Sequence, residues 1–215
     1  SYLAGTAELQ GILRAATDLA AASELDLVEA TEALLTTLNT YELGPESAMA
    51  VANALVQTAD ASVASVRDLT GTLASAGTVL HQYNQSVDES LAQAAILSER
   101  GISGAEAGNN LRSMYNNMFR NTKRSVLALE DLGITLFDTE GNFRPLVEVI
   151  DELNTGMTSM VDQERFLALK DLFGTYGQLA GITLGTEGAS GYVEMQEKIK
   201  GASTVSEVAK ARTDT

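Results

Sequence analysis

Few side chains in this sequence could carry chemistry, and His81 is the only histidine among its 215 residues. A serine nucleophile normally needs a histidine base that is held in place by a carboxylate, and cysteine is absent. His81 follows Leu80 close to a predicted helix end, where a histidine commonly caps carbonyl groups or faces water. No partnered base is evident in the sequence, so we predict that the chain is not an enzyme.

One group of residues with carboxylate or amide oxygens has a spacing that suggests calcium binding. Asp138, Glu140 and Asn142 alternate in a polar run, but an EF-hand loop needs glycine at its sixth position and glutamate at its twelfth. Counted from Asp138, the fourth position is Gly141 and the twelfth is Val149. We therefore interpret the run as a turn, and we predict no metal and no cofactor.

A second group of acidic residues, Glu148, Asp151 and Glu152, lies beside apolar positions of a predicted helix. Two carboxylates held close together can act as an acid–base pair. The favoured interpretation is the solvated face of an amphipathic helix. The glycines between residues 174 and 191 contain neither a dinucleotide-binding fingerprint nor a P-loop, so we interpret them as flexible positions.

The charge of the chain is strongly negative and unevenly distributed, with a formal net value of −15. Residues 1–99 hold two basic groups against thirteen acidic ones, and residues 100–215 hold twelve against sixteen. Such a surface repels a phosphate backbone, so we expect no direct nucleic-acid binding. No apolar run approaches the roughly eighteen residues of a membrane-spanning helix, and membrane contact is not expected.

Basic residues are concentrated between positions 100 and 124, where Glu106 is the sole acid. An interface with an acidic partner is one interpretation. Pairing with the acidic N-terminal helices of the same chain is the favoured one, because the excess acid is close in sequence. The basic residues concerned are Arg100, Arg112, Arg120, Lys123 and Arg124.

The pattern of apolar residues is helical along most of the chain, so the predicted fold class is all-α. Both prolines stand at predicted helix starts, Pro45 after a glycine and Pro145 before an apolar run. Alanine supplies much of the apolar content and aromatic residues only 5%, which predicts a thin core with closely packed helices. The predicted helix caps are Asp26, Ser62, Ser65, Ser86, Ser103, Thr122 and Asp162.

One segment departs from the helical pattern and predicts a small β-hairpin near 134–144. Residues 134–137 are β-branched or aromatic, residues 138–141 have turn chemistry, and residues 142–144 could return antiparallel. The glycines that follow Gly174 predict short helices in the C-terminal region.

An internal repeat at an offset of 42 residues supports a multi-helix bundle or a short α-solenoid of stacked helix pairs. We predict a helical repeat body over residues 1–132, with approximate repeats 23–64 and 65–106. Residues 133–215 would hold the β-hairpin and C-terminal helices, continuous with the first part. Coincidence among alanine-rich helices is the alternative to a repeat. Neither end looks like a natural terminus, so we interpret the chain as a fragment of a longer protein.

Three motifs follow one another along the chain. The first is a glycine motif that opens a helix, the second is a hairpin motif, and the third ends a helix. Their residues are Gly101, Gly104, Gly108, Leu111, Arg112, Gly133, Asp138, Gly141, Arg144, Pro145, Phe173 and Gly174. In this order, the three motifs resemble the core region of the tape measure proteins of long-tailed phages or prophages. The resemblance extends from Tyr2 to about Met195, and it implies structural positions and no active site.

The resemblance implies a structural role in a phage tail. The full protein would lie along the tail lumen, set the tail length and organise the tube subunits that assemble around it. Its implied partners are the tail tube protein, tail tip or baseplate hub proteins and tail assembly chaperones, with self-association possible. Its implied location is the lumen or tip of the virion tail, after assembly in the bacterial cytoplasm. The alternative function is a helical-repeat scaffold that binds another protein.

Overall fold

The computed structural model describes residues 2–120 and 122–213, and its elements confirm the predicted all-α class. A single 3₁₀ turn, Pro45–Ser47, precedes the third helix. No helix in the described residues is both long and apolar enough to cross a bilayer. The helices are α1 Tyr2–Ala22, α2 Leu27–Thr40, α3 Ala48–Ala61, α4 Val66–Gln82, α5 Val87–Ser98, α6 Gly104–Met118, α7 Lys123–Leu132, α8 Leu146–Ser159, α9 Asp162–Gly201 and α10 Val205–Thr213.

Two clusters of buried apolar residues hold the bundle together. One cluster surrounds α6 and α9, which pack against each other and against α4, α5, α7 and α8. The other lies among α1, α2 and α3, and Val205 of α10 is fully buried in it. Helix α4 belongs to both, because Leu69 and Leu73 face the N-terminal cluster whereas Ala76 and Leu80 face the other.

Side chains cap many of the helices as their sequence predicts. Four of the predicted caps form capping boxes, in which the cap side chain and the third helical residue satisfy each other's backbone amides. Ser103 is an N-cap without a side-chain bond, Ser62 ends α3, and Asp162 follows the N-cap of α9. The four capping boxes begin at Asp26, Ser65, Ser86 and Thr122.

Helices α2 and α4, which fall in the two predicted repeats, end with matching backbone geometry. Tyr41 and Tyr83 are the C-caps, and the residues that follow, Glu42 and Asn84, have positive φ angles of 52° and 59°. In both helices, the amide of the second residue after the C-cap donates to the carbonyl of the third residue before the C-cap, at 2.8 and 2.9 Å. This bond is typical of a Schellman ending. Helix α2 starts at residue 27 and α4 at residue 66, so the 42-residue offset is lost at their N-terminal ends.

Glycine breaks divide α9 into three straight segments, 162–173, 175–187 and 189–201. Gly174 (φ 67°, ψ 176°) and Gly188 (φ 72°, ψ 175°) adopt a backbone conformation that only glycine occupies readily. The middle segment packs in the centre of the bundle, so the glycines of this region mark close contacts as well as breaks.

A buried polar network lies inside the larger cluster. The Gln93 side-chain amide donates to Gln85 Oε1 at 3.1 Å, and the Tyr115 hydroxyl donates to Gln93 Oε1 at 3.0 Å. Gln93 Nε2 also reaches the Glu89 carbonyl at 3.2 Å. Because a buried polar group is costly unless it is bonded, this network favours one arrangement of α5 against α6.

The β-hairpin predicted near 134–144 is wrong, because only one isolated antiparallel bridge forms there, between Phe137 and Phe143. The amide of Thr135 donates to a Glu152 carboxylate oxygen at 2.7 Å, and its carbonyl accepts from Arg144 at 2.7 Å. Side chains therefore take both backbone groups of Thr135, and two backbone bonds flank the bridge, from the Asp138 amide to the Asn142 carbonyl at 2.9 Å and from the Arg144 amide to the Leu136 carbonyl at 3.0 Å. Pro145, the next residue, is the N-cap of α8, so the returning segment ends there.

Three polar side chains on one face of α3 hold the connection between α9 and α10. Gln57 Nε2 donates to the Ala202 carbonyl at 3.1 Å, and Asn53 Oδ1 accepts from the Val205 amide at 3.0 Å. Asp60 Oδ2 accepts from the amide of the intervening Ser203 at 3.0 Å. Residues 53, 57 and 60 share a helix face, so α3 fixes α10 against α1.

Replacing Asn53 and Gln57 together by alanine is expected to loosen α10 selectively. The Val205 amide would lose its partner in a partly buried position, which costs about 1–3 kcal/mol. Hydrogen exchange measured by mass spectrometry should accelerate over residues 202–213 and stay unchanged in α5 and α6. Gln163→Ala, an exposed position on α9, serves as the control. Uniform acceleration along the chain would contradict local release.

Glu29 connects the N-terminal ends of α2 and α4. Its carboxylate completes the α2 capping box and also binds Arg67 through two bonds, of 2.6 and 2.9 Å. The Arg67 hydrogen bonds, followed by the bond from the Asp26 amide, lower the pKa of Glu29 to about 2 from an ordinary 4.5.

This lowered pKa predicts a pH-dependent contribution to stability. A carboxyl whose pKa is lower in the folded chain stabilises the fold above its unfolded pKa. That contribution should disappear as the pH falls from about 4.5 to about 2. The thermal midpoint of the wild type minus that of Glu29→Gln, measured against pH, should shrink over this window. In an Arg67→Gln background the difference should lose most of its pH dependence, and an unchanged dependence would contradict the assignment.

Candidate functional site

The glycines of the first motif shape the entry to α6. Gly101, with φ 79°, follows α5, and the Ile102 amide closes that helix by bonding the Leu97 carbonyl at 3.1 Å. Gly104, with φ 58°, is the first residue of α6, and its carbonyl accepts from the Thr72 hydroxyl at 2.9 Å. The chain thus turns sharply at two positive-φ glycines and meets α4 as it enters α6.

Gly108 lies where α6 crosses α4. A β-carbon at this position would stand 2.5 Å from Ser75 Cβ and 2.7 Å from the Thr72 carbonyl oxygen. Both distances are shorter than van der Waals contact, so only glycine allows the two backbones to approach this closely. Leu111, one turn further along α6, is fully buried in the larger cluster.

The basic residues between positions 100 and 124 do not pair with the N-terminal helices, so the favoured internal pairing is wrong. Arg100 contacts Glu187 of α9 at 3.5 Å, and Arg112 donates only to the neighbouring Asn109 at 2.8 Å. Helix α6 turns Gly108 and its other buried positions towards the bundle, which leaves Arg112 on the solvent side. Among the described residues, no carboxylate pairs with Arg112, Arg120, Lys123 or Arg124.

Gly133, Asp138 and Gly141 shape the loop between α7 and α8. Gly133 ends α7 in the left-handed conformation, with φ 69°. One oxygen of Asp138 accepts from the Glu140 and Asn142 amides at 2.9 and 2.8 Å, and these bonds lower the pKa of Asp138. Gly141, with φ 85°, completes the turn. The polar run is thus a loop that bonds to its own backbone.

Arg144 fixes this loop to α8. Its guanidinium binds Glu152 at 2.7 Å, Glu148 at 2.9 Å and the Thr135 carbonyl at 2.7 Å. The hydrogen bonds that Arg144 donates to Glu152 first and to Glu148 second raise the pKa of Arg144. Glu148 is exposed, as the predicted solvated face of α8 requires, and together with the half-buried Glu152 it also holds this arginine. Pro145 is the N-cap of α8.

Phe173 and Gly174 stand at the first break of α9. Phe173 is buried, and its ring covers Gly181, where a β-carbon would overlap the ring atoms. Gly174 turns the chain beside the Asn117 side chain. The helix-ending motif is therefore an internal break in α9, across which Phe173 contacts Gly181 of the next segment.

Two further glycines make close contacts: Gly156, which the sequence analysis did not single out, and Gly177, whose interpretation as a flexible position is wrong. A β-carbon at Gly177 would stand 2.5 Å from the Met114 backbone nitrogen, and one at Gly156 would overlap the Leu132 carbonyl. Both stand inside helices beside apolar residues, and that pattern is the signal in the sequence that could have identified them.

His81 lies at the end of α4 with its ring 5.5 Å from that of Tyr41. The Tyr41 side chain is buried, and burial raises the pKa of its hydroxyl to about 12. Within residues 2–120 and 122–213, no three histidine, aspartate or glutamate side chains converge as a metal site would require.

The predicted site residues lie at helix junctions. The first motif joins α6 to α4, the second joins α7 to α8, and the third joins two segments of α9.

The crossing at Gly108 can be tested with matched alanine substitutions. Gly108→Ala should lower the free energy of unfolding by about 1–3 kcal/mol, because overpacking against α4 outweighs the better helix propensity of alanine. Gly11→Ala is the control, since no atom lies within 4 Å of a β-carbon there, and it should stabilise by up to about 1 kcal/mol. Denaturant unfolding measures both. Equal stabilisation by the two substitutions would contradict the close crossing.

Comparison with known proteins agrees with the resemblance of the three motifs. The family described as phage-related minor tail protein matches residues 4–174. The chain is 30% identical over 183 residues to the "Tape measure protein" of Pneumococcus phage Dp-1, covering 84% of this chain and 16% of that protein. It is 21% identical over 179 residues to the "Probable tape measure protein" of Escherichia phage P2, covering 82% and 22% respectively.

The chain thus spans less than a quarter of the length of either relative. No solved structure matches it. The family match extends across the glycine motif, the Asp138 loop and the break at Gly174, so all three sets of junction residues lie within the matched region. The chain belongs to the phage-related minor tail protein family, among the tape measure proteins of phage tails, and its role in the tail is structural.

Proposed function

We propose that this chain is a folded segment of a tape measure protein whose full length sets the length of a phage tail. The support is its 30% identity, over 84% of its length, to a protein named for that role. The full protein would lie in the tail lumen or at the tip and organise the tube subunits around it. Its partners would be the tail tube protein, tail tip or baseplate hub proteins and tail assembly chaperones.

The packing of α10 against α1 is the observation that assigns this segment a compact role within the full protein. Because the first and last helices lie together, the folded segment adds little distance along the tail axis. A folded body of this size has a diameter of about 45 Å, whereas one continuous helix of the same chain would span about 320 Å. The bonds between α3 and residues 202–205 and the buried Gln93 network favour the compact state.

A second candidate function is a helical-repeat scaffold that binds a partner helix. A cleft of about 630 Å³ lies between α3 and the turn that joins α4 to α5. Leu43, Val51 and Val87 supply apolar walls, with Asn84 and Asp88 among the polar ones. The cleft lies between the two predicted repeats, and repeat proteins bind partners on surfaces to which neighbouring repeats contribute.

Changing the copy number of this segment in the parent gene tests the compact role. In-frame deletion should shorten tails by no more than about 45 Å, and tandem duplication should lengthen them by no more than that, because the segment stays folded. Tail length is measured by electron microscopy. A duplication that lengthens tails by about 320 Å would show that the segment extends as a helix. Duplicating an equally long predicted helix elsewhere in the parent gene provides the comparison.

A further inference from the structure

A groove of about 930 Å³, lined mainly by residues with polar side chains, runs between α6 and the middle segment of α9. We call it the α6–α9 groove. Side chains that donate and accept hydrogen bonds dominate one wall, and Tyr176 stands on the other. The residues that define it are Asn109, Arg112, Ser113, Asn116, Arg120 and Tyr176.

The charge of this groove is opposite to that of the chain as a whole. Arg112 and Arg120 line it, and Glu106 is its one acidic residue. The first turn of α7 lies at the end that holds Arg120, because the Ser125 hydroxyl donates to the Arg120 carbonyl at 3.3 Å. That turn adds Lys123 and Arg124, so four cations lie in or beside the groove.

These cations have no partner of opposite charge in the described part of the chain. In the described residues, no ion pair forms at Arg112, Arg120, Lys123 or Arg124, although the chain carries a net charge of −15. Lys123 and Arg124 also occupy the first turn of α7, where the helix dipole disfavours positive charge. An anionic group bound in the groove would neutralise the unpaired cations and would also reduce the repulsion between Lys123 and Arg124 and the helix dipole.

The α9 wall of the groove presents an exposed aromatic side chain, Tyr176, to solvent. Tyr176 is 80% exposed and Leu179 is 46% exposed, one turn apart. The segment 175–187 begins at the groove after the break at Gly174, and the start of a helix carries a partial positive charge. Tyrosine and arginine are the side chains most enriched at protein interfaces.

We propose that the α6–α9 groove binds an acidic polypeptide segment of another protein. Asparagine side chains both donate and accept hydrogen bonds, which suits the amides and carbonyls of a peptide backbone. The four cations would neutralise the carboxylates of such a segment. Because the asparagines match the amides and carbonyls of a peptide backbone, which a polynucleotide lacks, a polypeptide is favoured over a polynucleotide. This partner goes beyond the proposed structural role and does not depend on it.

Fluorescence anisotropy with labelled poly-L-glutamate tests the proposal on the intact 215-residue chain. The wild type should bind the probe, and rising salt should weaken the binding. The double substitution Arg112→Gln with Arg120→Gln should weaken binding about tenfold, through the loss of two charge contacts. Tyr176→Ala should also weaken binding, and its exposed position leaves the fold unaffected.

The matched control removes two cations from another surface, through Lys198→Gln with Lys200→Gln on the last segment of α9. This variant should bind as the wild type does, with circular dichroism confirming that every variant is folded. Labelled oligothymidylate is the competing probe. Preferential binding of oligothymidylate would overturn the proposal in favour of a nucleic acid. Absence of poly-L-glutamate binding, or equal weakening in both double variants, would overturn it outright.

Discussion

The bundle depends on helices that approach each other at backbone distance. At Gly108 the backbone of α6 lies against α4, and at Gly177 the backbone of α9 lies against α6 at Met114. A β-carbon at either position would overlap the neighbouring helix, so the absence of a side chain sets the separation of the helices. Helix α6 is thereby held between α4 and α9, and the larger cluster of buried residues forms around it.

Close approach compensates for the small side chains that fill this core. Alanine buries little area, and apolar burial is worth roughly 25 cal/mol per Å², so alanine-rich helices must pack closely to gain enough contact. Apolar contact alone does not distinguish one register of such helices from another. The bonds among Gln85, Gln93 and Tyr115 do so, because any shift would leave a buried polar group without a partner.

The same physical logic applies to the three sequence motifs. Each motif joins elements by a backbone conformation or a side-chain bond: Gly104 starts α6, Arg144 ties the Asp138 loop to α8, and Gly174 breaks α9. These residues shape the bundle, so contacts with other proteins fall to its exposed surfaces. The α6–α9 groove is one such surface, and its positive charge is opposite to the net charge of the chain.

Local patterns in the sequence predicted the all-α class and four of the helix caps, because periodicity and capping chemistry act over a few residues. Tertiary structure decided the rest. Thr135 has a strand-like sequence, yet its backbone groups bond the side chains of Glu152 and Arg144, and the returning segment ends where α8 begins. Arg112 is exposed to solvent because Gly108 packs the opposite face of α6 against α4. Such outcomes depend on which distant groups meet, and no local pattern contains that information.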